Sequence, residues 1–156
     1  MPETINTPAF LKLTPTVPKG SPAVRINAMF DQRAGSYATA NLTVESPVES
    51  ITPTRLAKMR LGALRRDALR LQLGEENAVL ARRAPVKSYF RGTPGRAVAE
   101  KARLEPTPEH LENAGLVYRL ARIVGDYPVQ AVSRCFGLEV ADAHRWVRLA
   151  KKTGAI

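Results

Sequence analysis

Two periodicities divide the chain. Between Ala23 and Glu45 apolar and polar residues alternate: Val24, Ile26, Ala28 and Phe30 share one parity, a polar stretch from Asp31 to Ser36 intervenes, and Ala38, Ala40, Leu42 and Val44 then alternate with Thr39, Asn41, Thr43 and Glu45. A period of two places every second side chain on one face, so the stretch predicts an antiparallel hairpin with one buried side. From Thr52-Pro53, a cap followed by a proline, the period becomes helical. Leu56, Met59, Leu64, Ala68, Leu69, Leu71 and Leu73 form an apolar face broken at Gly62, with Gly74 as the stop, or with the helix extended or restarted over Glu75 to Ala84 before Pro85. Two strands are marginal alone, so this helix, whole or in two pieces, is expected to cover the hairpin.

The flanking stretches lack either period. Residues 1–22 carry Pro2, Pro8, Pro15, Pro18 and Pro22 among threonines, which predicts a flexible arm. Residues 85–106, with Gly92, Pro94, Gly95 and several basic residues, predict a basic linker. Within it Tyr89, Phe90 and Arg91 are available to anchor the linker on DNA or on a partner. The hairpin-plus-helix unit then spans 23–84, and a second unit spans 107–156. The expected fold class is α+β.

The second unit reads as three helices. Thr107-Pro108-Glu109 supplies a cap, a proline at the first helical position and an acid in the first turn. Leu111, Ala114, Val117, Leu120, Ala121 and Val124 follow on one face until Gly125 and Pro128. Val129, Val132, Ser133 and Phe136 repeat the spacing in a short helix, which Gly137 ends in the left-handed region where a Cβ is penalised. In the last helix, from about Val140 to Thr153, Ala143, Trp146, Val147 and Ala150 form an inward stripe. Ala141, Arg145, Arg148 and Lys152 lie opposite, with His144 and Lys151 on one flank. A short helix, a glycine turn and a longer basic helix are the arrangement of a helix-turn-helix whose second helix enters the major groove of double-stranded DNA. The expected contact set is Arg134, Ala141, His144, Arg145, Arg148, Lys151 and Lys152.

The same residues carry a resemblance. Ala131, Val132, Phe136, Gly137, Leu138, Ala143, Arg145, Trp146, Val147, Ala150, Lys151 and Gly154 fit a pattern that recurs in small helix-turn-helix proteins of actinobacteria and their phages. The last third of the chain resembles that segment. Glu139 and Asp142 stand where the pattern has a serine or threonine cap and a threonine. The resemblance implies DNA binding by a small regulator.

Charge sharpens this picture. The chain carries a formal net charge of +10, of which residues 55–105 hold most. A basic middle region can add sequence-independent phosphate contacts, driven largely by counterion release; the plainer reading is a solvated, highly charged surface. Catalysis finds little support. Asp67, Glu75, Glu76, Glu100 and Glu105 sit singly among arginines, His110 and His144 are far apart, and Arg91-Gly-Thr-Pro-Gly95 lacks the lysine and hydroxyl of a phosphate cradle. Cys135 has no CxxC partner and reads as a packing residue. No catalytic, metal or cofactor residues are expected.

No apolar run is long enough to span a bilayer, so no membrane partner is expected and a cytoplasmic, nucleoid-associated location is. The function expected is non-catalytic transcription regulation. Dimerisation through the hairpin edge or the leucine-bearing helix is also expected, because one small reading head usually needs a second half-site. The alternative is a protein-interaction adaptor, or a phage or host factor acting on transcription machinery without reading DNA, favoured by the acids at Glu139 and Asp142.

Overall fold

The alternation of residues 23–45 becomes a hairpin of β2 (Ala23–Asp31) and β3 (Ser36–Glu45), but a third strand joins it. In the computed structural model, which describes residues 2–156, Phe10–Leu13 forms β1 and pairs antiparallel with β2, giving the order β1-β2-β3. The expectation of a flexible arm over 1–22 is therefore corrected. Leu11 and Leu13 alternate inward with Ala28 and Ile26 as their partners, and the Tyr37 hydroxyl donates to the carbonyl of Pro8 at 2.7 Å. Proline is tolerated there because it flanks a short edge strand instead of interrupting a central one.

The inward parity of β3 also differs from the expectation. Asn27 faces Asn41 and Ala28 faces Thr39, so Ala40 is an extra residue in the ladder. A bulge of this kind flips the side chains beyond it. Tyr37 is buried in place of Ala38, while Ala38 and Ala40 are exposed and Leu42 is 39% exposed.

Among the described residues seven α-helices follow: α1 (Pro53–Lys58), α2 (Leu61–Glu76), α3 (Ala84–Arg91), α4 (Glu100–Leu104), α5 (Pro108–Val124), α6 (Pro128–Phe136) and α7 (Val140–Lys152), with a 3-10 turn at Leu80–Arg82. The protein is thus α+β, and about half of it is helical. Thr52 caps α1, accepting from the Arg55 amide at 3.3 Å. The break before α2 falls at Arg60, which is left-handed at φ 50°, and not at Gly62. Gly74 does not stop α2. It lets α3 approach: a Cβ there would lie 3.1 Å from the Phe90 side chain.

The linker expected over 85–106 contains α3 and α4. Pro85 is a first-turn proline of α3, and Val86, Tyr89 and Phe90 are buried. One core therefore runs through the molecule, from Val24 and Ile26 of the sheet through Leu69, Leu73 and Tyr89 to Val117, Phe136 and Trp146. Arg65 on α2 stitches the layers together. Its guanidinium donates to Thr39 Oγ1 at 2.8 Å, to the Tyr37 carbonyl, and to the Val124 carbonyl at 3.4 Å. Among the described residues no helix is long and apolar enough to cross a membrane.

Candidate nucleic-acid interface

The cap read at Thr107 forms as a reciprocal pair. Thr107 Oγ1 accepts from the His110 amide at 3.3 Å, and His110 Nδ1 accepts from the Thr107 amide at 3.2 Å. From that cap α5 carries Leu111, Ala114, Val117, Leu120, Ala121 and Val124 into the core and packs against both α6 and α7. Helix α6 closes at Gly137, left-handed at φ 60°, and the Leu138 amide donates to the Ser133 carbonyl at 2.9 Å. Ser133 Oγ donates in turn to the Leu138 carbonyl at 2.6 Å. This small side chain fastens the turn, so α7 starts at a fixed angle.

Helix α7 buries the stripe its sequence predicts: Ala143, Trp146, Val147 and Ala150. The Trp146 ring packs 5.2 Å from that of Phe136, edge to face, and 5.5 Å from the His110 ring. Its Nε1 donates to the carbonyl of Arg103 at 3.1 Å. That acceptor belongs to α4, a helix within the stretch expected to be a linker.

Residues 93–105 form a strap across the α6–α7 turn. The Gly95 amide donates to the Arg134 carbonyl and the Val98 amide to the Phe136 carbonyl, both at 3.0 Å, satisfying groups at the open end of α6. Only glycine fits at 95, where a Cβ would lie 1.7 Å from the Cys135 carbonyl oxygen. Beyond this crossing, α4 lies on one flank of α7. The Arg145 guanidinium donates to the Arg103 carbonyl and sits 3.3 Å from Asp142, while Arg103 Nε is 3.8 Å from Asp142.

The seven expected contact residues therefore separate into groups. Ala141, His144, Arg148 and Lys152 are exposed and, at spacings of three, four and four, lie along one stripe of α7. Lys151 is exposed with its ammonium 5.1 Å from the centre of the Tyr118 ring, a cation–π contact that holds it towards α5. Arg145 is correctly placed away from the core stripe but is engaged by α4. Arg134 is drawn inward to Asp126, with Nη2 3.6 Å from the carboxylate.

Asp126 was invisible as a site in the sequence. Its carboxylate sits between Arg134 and Arg70, the latter at 3.0 Å, with both the Asp126 and Arg70 side chains nearly buried. The Tyr89 hydroxyl and the Nε and Nη2 of Arg134 are buried without a hydrogen-bond partner. Burial raises the Tyr89 phenol above its ordinary range, with nearby Asp126 adding to the effect. Burial likewise pushes the Cys135 thiol up to about 12, against the smaller opposing influence of Arg134 and Arg70. A thiol held in that form is a packing group, not a nucleophile at neutral pH.

Other features bear on the candidate surface. Arg96 and Lys101 are exposed on the strap, within the stretch expected to be a basic linker. Among the described residues no three His, Cys, Asp or Glu side chains gather as metal ligands. Comparison with protein-family models, with curated proteins and with solved structures finds no match to this chain.

Proposed function

We propose that the protein is a non-catalytic double-stranded DNA-binding protein, a transcription regulator related to the small helix-turn-helix proteins its last third resembles. The observation that carries the reading is the stripe Ala141, His144, Arg148 and Lys152, free along the outward side of a helix whose opposite side is locked in the core. Small and polar residues at the start of such a stripe admit a groove edge. Arg148 supplies the fork that pairs with guanine or phosphate, and Lys152 a point charge for phosphate. Arg145 leaves the proposed reading set and becomes the residue that fixes α4 to α7. Asp142, paired with Arg103 and Arg145, has its charge answered within the protein and repels a phosphate less than a bare carboxylate would.

One such helix offers a small interface, so a homodimer on paired half-sites, at the nucleoid in the cytoplasm, belongs to the same proposal. The test is fluorescence anisotropy of a labelled duplex between low and moderate salt. Arg148→Ala and Lys152→Ala are each expected to flatten the plot of log affinity against log salt by about 0.9 per lost phosphate contact. Binding indifferent to both substitutions would remove α7 from the role.

A second reading is a protein-interaction adaptor. It rests on the outer sheet face, where Phe10 and Met29 are paired in register and both about half exposed. Retention of a partner from nuclease-treated lysate, lost in Met29→Lys, would favour it over DNA.

A further inference from the structure

The N-terminal residues, α5 and the residues after α7 enclose a cleft of about 410 Å³, within the size range of small-molecule sites. Two arginines, Arg83 and Arg119, line it and both bond to Glu3. Arg83 Nη2 donates to the Glu3 carboxylate at 2.5 Å, and its Nη1 donates to Asn113 Oδ1 at 3.0 Å. Asn113 is itself buried, so the guanidinium is aimed by a fixed acceptor on α5. Arg119 Nη1 donates to the main-chain carbonyl of the same Glu3 at 2.8 Å. Leu111 and Leu116 supply apolar wall, and Thr153 and Ala155 also line the cleft.

We propose that this cleft is a binding site for a small dicarboxylate of the glutarate type, with the chain's own Glu3 as its internal occupant. Glu3 reveals the chemistry because its two acceptors, a carboxylate and a carbonyl joined by a short flexible skeleton, each meet one arginine. A free dicarboxylate carries the same two acceptors with a full charge on both, so it answers Arg119 better than a neutral carbonyl does. The Arg119 Nε is buried without a hydrogen-bond partner. Burial lowers the proton affinity of its guanidinium, an effect that the Glu3 charge partly offsets.

The neighbouring charges fit an exchange. Glu112 stands 3.9 Å from Arg83, so displacing Glu3 leaves two cations against one exposed acid until the ligand arrives. Thr153 and Ala155 of the lining lie just past the C-terminal end of α7. The cleft and its arginines are independent of whether α7 binds DNA.

The test is isothermal titration calorimetry of the full chain with glutarate, using Glu3→Gln to keep the segment's shape while removing the competing charge. A tethered group competes at an effective concentration on the order of millimolar, so wild-type binding is expected to be weak and the Gln variant about tenfold tighter. Arg83→Met and Arg119→Met, combined with Glu3→Gln, are each expected to abolish the heat while circular dichroism stays native. If either fails to fold, Arg83→Lys and Arg119→Lys take its place; they keep the charge but lose the fork, and should weaken binding about tenfold. The proposal is overturned if Glu3→Gln binds no glutarate up to about 20 mM, above the effective concentration of the tethered acid. It is equally overturned if binding is no tighter than in the wild type, survives the arginine substitutions, or is matched by sulfate.

Discussion

Replacing Gly95 with alanine puts the strap under direct test. The added Cβ would lie 1.7 Å from the Cys135 carbonyl oxygen and 2.5 Å from its carbon, both main-chain atoms of α6 that cannot swing aside. The strap must lift, and lifting it breaks the bonds from Gly95 to the Arg134 carbonyl and from Val98 to the Phe136 carbonyl. At about 1 kcal/mol net for each bond, the loss is about 2 kcal/mol before the partly buried Val98 is counted. Restricting the unfolded chain returns about 0.4–1 kcal/mol. The net expectation is a destabilisation of about 1–2 kcal/mol, a fall in Tm of about 3–6 °C for a chain of this length. Thermal unfolding followed by circular dichroism measures it. Gly62→Ala serves as the control of opposite sign: it lies in α2 with only the tip of Arg66 within 4 Å, so alanine should leave Tm unchanged or raise it. A Gly95→Ala protein that melts with the wild type would show that residues 93–98 do not lie on α6 as described.

Other consequences follow from the buried groups. Asp126→Asn leaves the Arg70 and Arg134 guanidiniums without their shared counter-charge and should cost about 2–4 kcal/mol in urea unfolding, whereas Glu45→Gln, in an exposed pair with Arg25, should cost less than about 1. Cys135, with its thiol raised by burial, should not react with a disulfide reagent at pH 8 until denaturant is added. Burial raises Tyr37 to about 12 and also raises Tyr89. The unfolded chain therefore gives up these protons first as pH climbs past about 10, and stability, constant below that pH on their account, should fall between pH 10 and 12; Tyr37→Phe should lessen the fall.

Local signals in the sequence located the helices well where a cap, a period and a stop agreed. Thr107-Pro108 opens α5, Gly137 closes α6, and the stripe Ala143, Trp146, Val147 and Ala150 goes inward because each of these is decided by neighbours within a turn or two. What failed depended on distant partners. The strand at Phe10–Leu13 is too short to show a convincing alternation and exists because β2 offers it an edge. The bulge at Ala40 adds one residue to the ladder, a change that no apolar pattern announces, and it exchanges Ala38 for Tyr37 in the core. Helix α3 did leave a signal: Val86, Tyr89 and Phe90 fall at i, i+3 and i+4 behind a proline that starts a helix as readily as it ends one. The fate of Arg145 left none. A helical wheel places it on the outer half of α7, but nothing local reveals that α4 returns from the strap to occupy that flank. The candidate surface was therefore legible as a helix and a charge, and the stripe that remains free was set by tertiary packing.

The central claim, that a duplex seats on the outward stripe of α7, is tested most directly by lysine acetylation footprinting with and without saturating duplex DNA, read residue by residue by mass spectrometry. Lys152 should be acetylated more slowly in the complex, while Lys12, exposed on β1 of the sheet, keeps its rate. Unchanged labelling of Lys152 on a fully bound sample would contradict the account.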